Sequence, residues 1–304
     1  KYVGILAIVL SIIMIISAAG CSNGSNTKSN QSKTNNSEKQ SESQNETKNE
    51  AQNEANRTET SGKQKIGIIQ YMEHNALDAA REGFVAALED NGYKHGQNID
   101  IDYQNAQGDQ SNLSTISDRF VSNNVDLVLA IATPAAQSIA GKTTKIPILG
   151  TAITDYEAAK LVNSAEALGG NVSGTTDMNP IKEQLDLLAK LAPEAKTIGI
   201  LYTSSEDNSI LQAAIAREAI EKLGLKYVEV TVTNSNDVQQ ATQSIVEQCD
   251  AIYIPTDNVF ASAMPIVHGV TSQSRTPVVC GEAGMVKTGG LATLGINYRD
   301  LGYQ

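Results

Sequence analysis

KIGII at residues 65–69 returns as TIGIL at residues 197–201, and each run opens a series of short apolar segments that alternate with amphipathic helical patterns. Two more apolar segments of the first half have counterparts in the second half. These are VDLVLA at 125–130 with CDAIYI at 249–254, and IPILG at 146–150 with TPVVCG at 276–281. The body of the chain therefore contains one structural unit twice.

The repeated segments predict an α/β fold of two lobes. Continuous Ile, Val and Leu runs are typical of strands that are covered on both faces, as they are in parallel sheets. Amphipathic patterns at 77–89, 209–223 and 238–248 predict covering helices. We predict two doubly wound parallel-sheet lobes joined by a hinge. Lobe 1 spans 63–178 and lobe 2 spans 179–304, with the segment near 283–304 crossing back to lobe 1.

The N-terminal residues differ in composition from the body. The apolar run at 3–16 has about the length of a signal-peptide core and is short for a membrane span. Small residues lead into Cys21, as at the cleavage and lipidation site of bacterial lipoproteins, although Ala18 stands where leucine is usual. The sequence predicts a signal peptide over 1–20 and a lipidated Cys21. The alternative is an uncleaved N-terminal anchor.

Residues 22–62 contain no Leu, Ile, Val, Met or aromatic residue. Such a segment has no apolar surface whose burial could offset the entropy of ordering, so 21–62 is predicted to be a disordered linker. A flexible chain of about 40 residues spans roughly 35 Å. We therefore expect an extracytoplasmic body, tethered to the cell membrane through its lipid.

Charge and cysteine content exclude several classes of function. The formal net charge is -11, which disfavours partners such as nucleic acid or anionic lipid. Cys249 and Cys280 are predicted at opposite ends of neighbouring parallel strands, too far apart for a disulfide. No metal-ligand spacing, nucleophile elbow or phosphate-binding glycine loop occurs. We expect no enzyme activity, no cofactor and no metal.

Polar residues follow the predicted strands of both lobes, where doubly wound sheets bind their ligands. Thr133 before Pro134 predicts a helix start, whose free N–H groups suit a carboxylate. Asp257 occupies the matching position of the second lobe and suits an ammonium group. The pair predicts a zwitterionic amino acid as ligand. The alternative is that Thr133, Asp257, Asn75 and Asn208 only cap their helices.

The resulting hypothesis assigns each part of the ligand. Its carboxylate lies against Thr133 and the following helix start, with serines of lobe 2 assisting, and its ammonium pairs with Asp257. Its ring lies near Tyr71 and His74, although His74 could instead be a capping residue. The full set of candidate ligand-binding residues is Tyr71, His74, Thr133, Ala135, Ala136, Thr176, Asp177, Ser204, Ser205, Glu206, Asn208, Asp257, Asn258, Glu282 and Asn297.

Several strand-end motifs point to one family. They include HNALD at 74–78, AIATPAA at 130–136, YTSSEDNS at 202–209, PTDN at 255–258 and GINY at 295–298. Together they resemble the tryptophan- and tyrosine-binding lipoproteins of bacterial ABC transporters, over essentially all of the body. The resemblance implies a monomer of the type I periplasmic-binding fold. It would deliver a small solute, with tryptophan, tyrosine or phenylalanine as the expected ligand, to an ABC permease.

The sequence also departs from that family. Asn75 stands where proline is usual after the histidine, Tyr156 stands where proline usually follows Asp155, and Thr203 stands where asparagine is usual. The family would continue beyond Gln304 with a final helix, so we expect the C-terminus to be truncated. Two alternative functions for a surface lipoprotein of this kind are adhesion and solute sensing.

Overall fold

The computed structural model describes residues 62–164 and 169–304. These described residues belong to one compact unit. The predicted signal peptide, the lipidated Cys21 and the linker all lie outside the described residues. None of the helices within the described ranges has the length and hydropathy needed to cross a bilayer.

Strands and helices alternate along the described chain. The strands are β1 (Gln64–Gln70), β2 (Ile99–Asn105), β3 (Leu127–Ile131), β4 (Ile148–Ile153), β5 (Val172–Thr176), β6 (Thr197–Thr203), β7 (Lys226–Val232), β8 (Ala251–Ile254) and β9 (Val278–Cys280). The helices are α1 (Asn75–Asp90), α2 (Gln110–Ser122), α3 (Thr133–Ala140), α4 (Ile181–Leu191), α5 (Asp207–Lys222), α6 (Val238–Val246), α7 (Asn258–Ser274), α8 (Ala283–Thr288) and α9 (Tyr298–Tyr303).

The strands form two parallel sheets with the same winding. The first has the order β2-β1-β3-β4-β5, and the second has the order β7-β6-β8-β9. Every neighbouring pair is parallel, and the repeated sequence segments occupy equivalent strands of the two sheets. In an order of this kind the chain reverses its winding direction between the first and third strands, β1 and β3 or β6 and β8, which creates a crevice at their carboxyl ends.

Glycine at the centre of each repeated strand has a packing role. A Cβ on Gly67 of β1 would lie 2.7 Å from the ring of Phe120, and a Cβ on Gly199 of β6 would lie 2.8 Å from Ile245 and from the Cys249 sulfur. Both glycines therefore let a helix, or the chain leading into β8, pack closely on the sheet. This explains why KIGII and TIGIL share their central glycine.

The helix α9 packs on α1, the helix that follows β1 of the first sheet. A Cβ on Gly83 would lie 2.0 Å from the Arg299 carbonyl oxygen, so the two helices touch backbone to backbone. The Tyr303 hydroxyl donates to Asp90 at 2.9 Å. The chain thus passes between the two sheets after β5 and again before α9, and Tyr298 joins these two crossings by donating to Asp177 at 2.7 Å.

The cysteines lie as predicted. Cys249 lies two residues before β8 and Cys280 ends β9, and both are free thiols. The helix starts were predicted less well. Ala132, rather than Thr133, is the N-cap of α3, and His74 and Glu206 occupy the N-cap positions of α1 and α5. Asn75 and Asn208 lie inside their helices and are not caps.

Candidate functional site

The carboxyl ends of the two sheets face each other across a small enclosed cavity. Its volume is about 10 Å³, room for the centre of roughly one water molecule. The lining residues come from the end of β4, from the loops and helix starts that follow β1, β4, β5, β6, β8 and β9, and from α9. They are His74, Ala76, Leu77, Ala152, Thr154, Asp177, Asn208, Thr256, Asp257, Asn258, Ala261, Glu282 and Tyr298. None of them is a lysine or an arginine.

The start of α1 forms one wall of the cavity. His74 is its N-cap in an extended conformation, and no side chain caps the helix. The first N–H groups of a helix have no partner within it, so those of Ala76 and Leu77 point from the helix end beside the cavity. They carry the positive end of the helix dipole, which favours a negative group at this wall.

A bulge in β4 shapes the same side. The pairing of β4 with β5 shifts between Gly150 and Ile153, and Ala152 adopts a positive φ of 56°. For a residue with a Cβ this conformation is strained, and bulges and strain of this kind are common beside functional sites. The bulge brings Ala152 and Thr154 to the cavity wall.

Glu206 is the most unusual side chain near the cavity. It is 1% exposed and lies behind Asn208 and Asn258, whose amides donate to its Oε2 at 3.2 and 2.5 Å. Its Oε1 is buried and has no hydrogen-bond partner among the described residues. Burial and then the neighbouring Asp257 raise the pKa of Glu206 to about 8. No cationic side chain among the described residues offsets its charge.

Asp257 is held quite differently. Its carboxylate accepts hydrogen bonds from the Thr203 N–H at 2.6 Å, the Thr203 hydroxyl at 2.8 Å and the Phe260 N–H at 2.9 Å. The last contact caps α7, as the capping alternative predicted. Burial raises its pKa, and these hydrogen bonds oppose that shift. Asp257 therefore ties the end of β6 to the start of α7.

His74 reaches across the cleft to the second lobe. Its Nε2 lies 3.1 Å from Oδ1 of Asn258. The Asn258 amide nitrogen donates to Glu206, so Oδ1 is the accepting end and His74 must donate from Nε2. His74 Nδ1 is then a buried atom with no partner among the described residues. Burial lowers the pKa of His74 to about 4, so the ring is neutral at physiological pH.

Two more buried acids lie where the chain crosses between the sheets. Asp177 accepts from Thr154 at 3.0 Å and from Tyr298 at 2.7 Å. Glu282 caps α8 and accepts from the N–H groups of Gly284 and Met285. Burial raises the pKa of both carboxyls. Among the four acids of this region, only Glu206 has an oxygen without a donor.

The structure brings together about half of the residues that the sequence proposed. His74, Asp177, Asn208, Asp257, Asn258 and Glu282 line the cavity, and Glu206 lies directly behind them. Tyr71 is buried nearby, and burial and the charge of Glu206 raise the pKa of its phenol.

Other proposed residues lie elsewhere. Thr176, Ser204, Ser205 and Asn297 are exposed, and each has a local structural bond. The hydroxyls of Ser204 and Ser205 donate to carbonyls at the end of β7, Thr176 donates to Thr154, and Asn297 caps α9.

The proposed carboxylate site at the start of α3 is also not on the cavity wall. Thr133, Ala135 and Ala136 are buried at that helix start. The Ala135 and Ala136 N–H groups both donate to the Ala132 carbonyl at 3.1 Å, so they are not free for a ligand. The helix starts at the cavity that lack a side-chain cap are those of α1 and α5.

Ala152, Thr154 and Tyr298 were not proposed from the sequence. Thr154 follows β4, so the rule that ligands bind beyond strand ends would have found it if that strand had been extended past Gly150. The bulge at Ala152 has no clear sequence signal. Within the described residues, no group of three or more His, Cys, Asp or Glu side chains could hold a metal ion.

Comparison with known proteins identifies relatives along the whole body. The family model of ABC transporter substrate binding proteins matches residues 65–304. The tyrosine-binding protein of Clostridioides difficile strain R20291 is 46% identical over 250 residues, which is 82% of this chain and 72% of the relative. The predicted type I fold of two parallel-sheet lobes is confirmed by the solved structures that match.

Two solved relatives superpose on the present structure to different extents. A Streptococcus pneumoniae domain in complex with L-Trp is 40% identical and superposes with a TM-score of 0.77, covering 80% of this chain and 82% of its own. The ligand-free, open structure of CD0873 from Clostridium difficile is 50% identical but superposes with a TM-score of only 0.58, covering 79% and 81%. The present structure therefore superposes better on the L-Trp complex than on the ligand-free, open relative.

Proposed function

This chain belongs to the family of ABC transporter substrate-binding proteins, and on that premise we propose that it captures an aromatic amino acid in the cleft between its lobes and delivers it to an ABC permease. The tyrosine-binding relative and the L-Trp complex support this ligand class. The protein works outside the cytoplasm, as its family does.

The observation that carries the proposal is the unpaired Oε1 of Glu206. An ammonium group has three N–H donors, and a buried carboxylate oxygen without a donor is costly to maintain. The Oδ1 of Asn208 is a second buried acceptor that has no hydrogen-bond partner among residues 62–164 and 169–304. We assign the ligand's ammonium to these two residues, because Asp257 already receives three hydrogen bonds.

The opposite wall suits the ligand's carboxylate. The N–H groups of Ala76 and Leu77, at the start of α1, have no partner within the helix and lie across the cleft from Asn258. Leu77 and Tyr298 give apolar and aromatic surface for a side chain. The lining contains no lysine or arginine, His74 is neutral and the buried Asp257 already adds negative charge, so an acidic amino acid is disfavoured.

Capture requires movement of the lobes. Pockets for small molecules usually measure about 300–1,000 Å³, far more than the present cavity of about 10 Å³. Lobes that separate about the crossings after β5 and before α9 would admit the ligand and close on it. The difference in superposition between the L-Trp complex and the open relative supports such a hinge.

A thermal-shift screen of the full chain in mild detergent tests the proposal. A ligand at 100 times its Kd stabilises the folded state by about 2.7 kcal/mol, or about 5–11 °C for a body of this size. We expect Tyr, Trp or Phe to give such a rise. Aspartate, glutamate and the deaminated analogue 3-phenylpropionate should give none. A response to the acids, or none to the aromatic amino acids, would reject the proposal.

We also propose that Cys21 anchors the protein through a lipid after removal of residues 1–20, and that the body acts as a monomer. The apolar run, the small residues before Cys21 and the polar linker support the anchor. Metabolic labelling with a radioactive fatty acid tests it. The wild type should be labelled and Cys21→Ser should not, so equal labelling of the two proteins would refute the anchor.

Adhesion is a second candidate function. CD0873, which is 50% identical over most of the body, is described as a substrate-binding protein with adhesive properties. Binding of the purified chain to host-cell monolayers, with and without saturating tyrosine, would test it. Adhesion that persists with ligand would place the adhesive surface outside the cleft.

A further inference from the structure

Glu206 is buried, and within the part of the chain that the structure describes no cationic side chain compensates its charge. One oxygen receives amide hydrogen bonds from Asn208 and Asn258, and the other receives none among the described residues. An ionised carboxylate in such a place is strongly disfavoured, so before a ligand arrives the favoured form carries a proton. When the ligand's ammonium approaches, the ionised form becomes the better partner.

We propose that the protein captures its ligand by exchanging a proton on Glu206 for the ligand's ammonium group, so that one proton is released to solvent for each amino acid bound. The O–H bond of Glu206 breaks, the carboxylate keeps the electron pair, and the ammonium keeps all three of its hydrogens. The inference rests on the proposed function and specifies how that site works. It makes affinity depend on pH.

The titratable groups around Glu206 do not explain a release of protons on binding. Asp257 at the start of α7 adds negative charge and strengthens the preference for a proton. Tyr71 faces Glu206 from the loop after β1, and its raised pKa keeps the phenol neutral. His74 at the start of α1 contacts Glu206 only through Asn258, and its pKa of about 4 keeps it neutral above pH 5.5.

The remaining acids at the cavity already receive hydrogen bonds from protein donors. Asp257 receives three donors, while Asp177 and Glu282 each receive at least two. Of these four acids, Glu206 is therefore the one whose hydrogen bonding changes most when an ammonium group binds. With a pKa of about 8 before binding, Glu206 is about nine-tenths protonated at pH 7.

Titration calorimetry with L-tyrosine, and with L-tryptophan in parallel, tests the exchange. Heats measured at pH 7 in phosphate and in Tris differ in proportion to the protons released, because the two buffers have different ionisation enthalpies. We expect release of about 0.9 proton per ligand, and a Kd about 50-fold higher at pH 6 than at pH 8. This measurement uses the unaltered chain and needs no variant to fold.

Two variants assign the proton. Glu206→Gln resembles the protonated form, so its affinity should be at least about tenfold weaker at pH 8.5 and flat from pH 6 to 8.5, with no proton released. The exposed Glu221→Gln, on the same helix, should behave like the wild type. Titration of the ligand's own amine is common to all three proteins and cancels.

The outcomes separate this inference from the proposed function. Tight binding without proton release, or release that persists in Glu206→Gln, overturns the exchange and leaves amino-acid capture intact. If neither amino acid binds at any pH, the proposed function fails and the exchange fails with it. Proton release that occurs in the wild type and is abolished only by Glu206→Gln supports the exchange.

Discussion

Asp257→Asn should destabilise the fold, because Asp257 is a buried structural joint between β6 and α7. The substitution keeps one oxygen, which can still accept from the Phe260 N–H and the Thr203 hydroxyl. It replaces the other oxygen, Oδ2, with an amide NH2 group that faces the Thr203 N–H, whose nitrogen lies 2.6 Å from Oδ2 in the wild type. Two donors then oppose each other inside the protein, and the Thr203 N–H loses its acceptor.

An unsatisfied buried donor costs about 1–3 kcal/mol. Asparagine caps helices as well as aspartate does, so no further loss is expected at α7. For a body of this size the cost corresponds to a fall in Tm of about 2–12 °C. Thermal unfolding followed by circular dichroism, at pH 7 and without ligand, measures it.

Asp250→Asn is the matched control. Its carboxylate also accepts from two N–H groups at β6, those of Lys196 and Thr197 at 2.8 and 2.9 Å, but it is exposed. Water can replace the lost acceptor there, so the Tm should change less than in Asp257→Asn. If the two variants have the same Tm, or if Asp257→Asn has the Tm of the wild type, the structural account of Asp257 is wrong.

Two further predictions concern stability. First, burial raises the pKa of Glu206 to about 8 in the folded chain, above its ordinary value of 4.5, so protonation favours the folded state. Without ligand, the free energy of unfolding should rise by up to about 1.4 kcal/mol for each pH unit as pH falls from 8.5 towards 6, and the Tm should rise with it. Glu206→Gln should flatten the curve, and a Tm that falls over this range would contradict the assignment. Second, Gly83→Ala would place a Cβ 2.0 Å from the Arg299 carbonyl oxygen and should separate α9 from α1, lowering stability by about 1–3 kcal/mol in chemical denaturation. Gly269→Ala in α7 meets no atom within 4 Å and should be neutral or stabilising, so equal losses in both variants would refute the packing argument.

The repeated strand pattern predicted the fold well because buried parallel strands are written as continuous apolar runs. β8 is buried at all of its positions, and β1 at five of seven. The strands β2 and β7 were not predicted. Each lies at an edge of its sheet, pairs with one neighbouring strand only, and mixes polar with apolar residues. Their existence follows from the winding of the sheets rather than from a local signal.

The site was predicted in part. The rule that ligands bind beyond strand ends found His74, Glu206 and Asp257, but it could not rank them, because rank depends on which donors each carboxylate meets after folding. Glu206 and Asp257 are both acids at strand ends, yet Asp257 receives three donors and one oxygen of Glu206 receives none. The exposure of Ser204 likewise depends on the loop geometry after β6.

A crystal structure of the chain grown with L-tyrosine, and if that does not bind with L-tryptophan, tests the central claim most directly. The account predicts one amino acid between the lobes, with its ammonium nitrogen within about 3.2 Å of Glu206 Oε1 and its carboxylate at the start of α1. An ammonium bound by Asp257 with Glu206 left unpaired would contradict the account, as would a ligand bound outside the cleft.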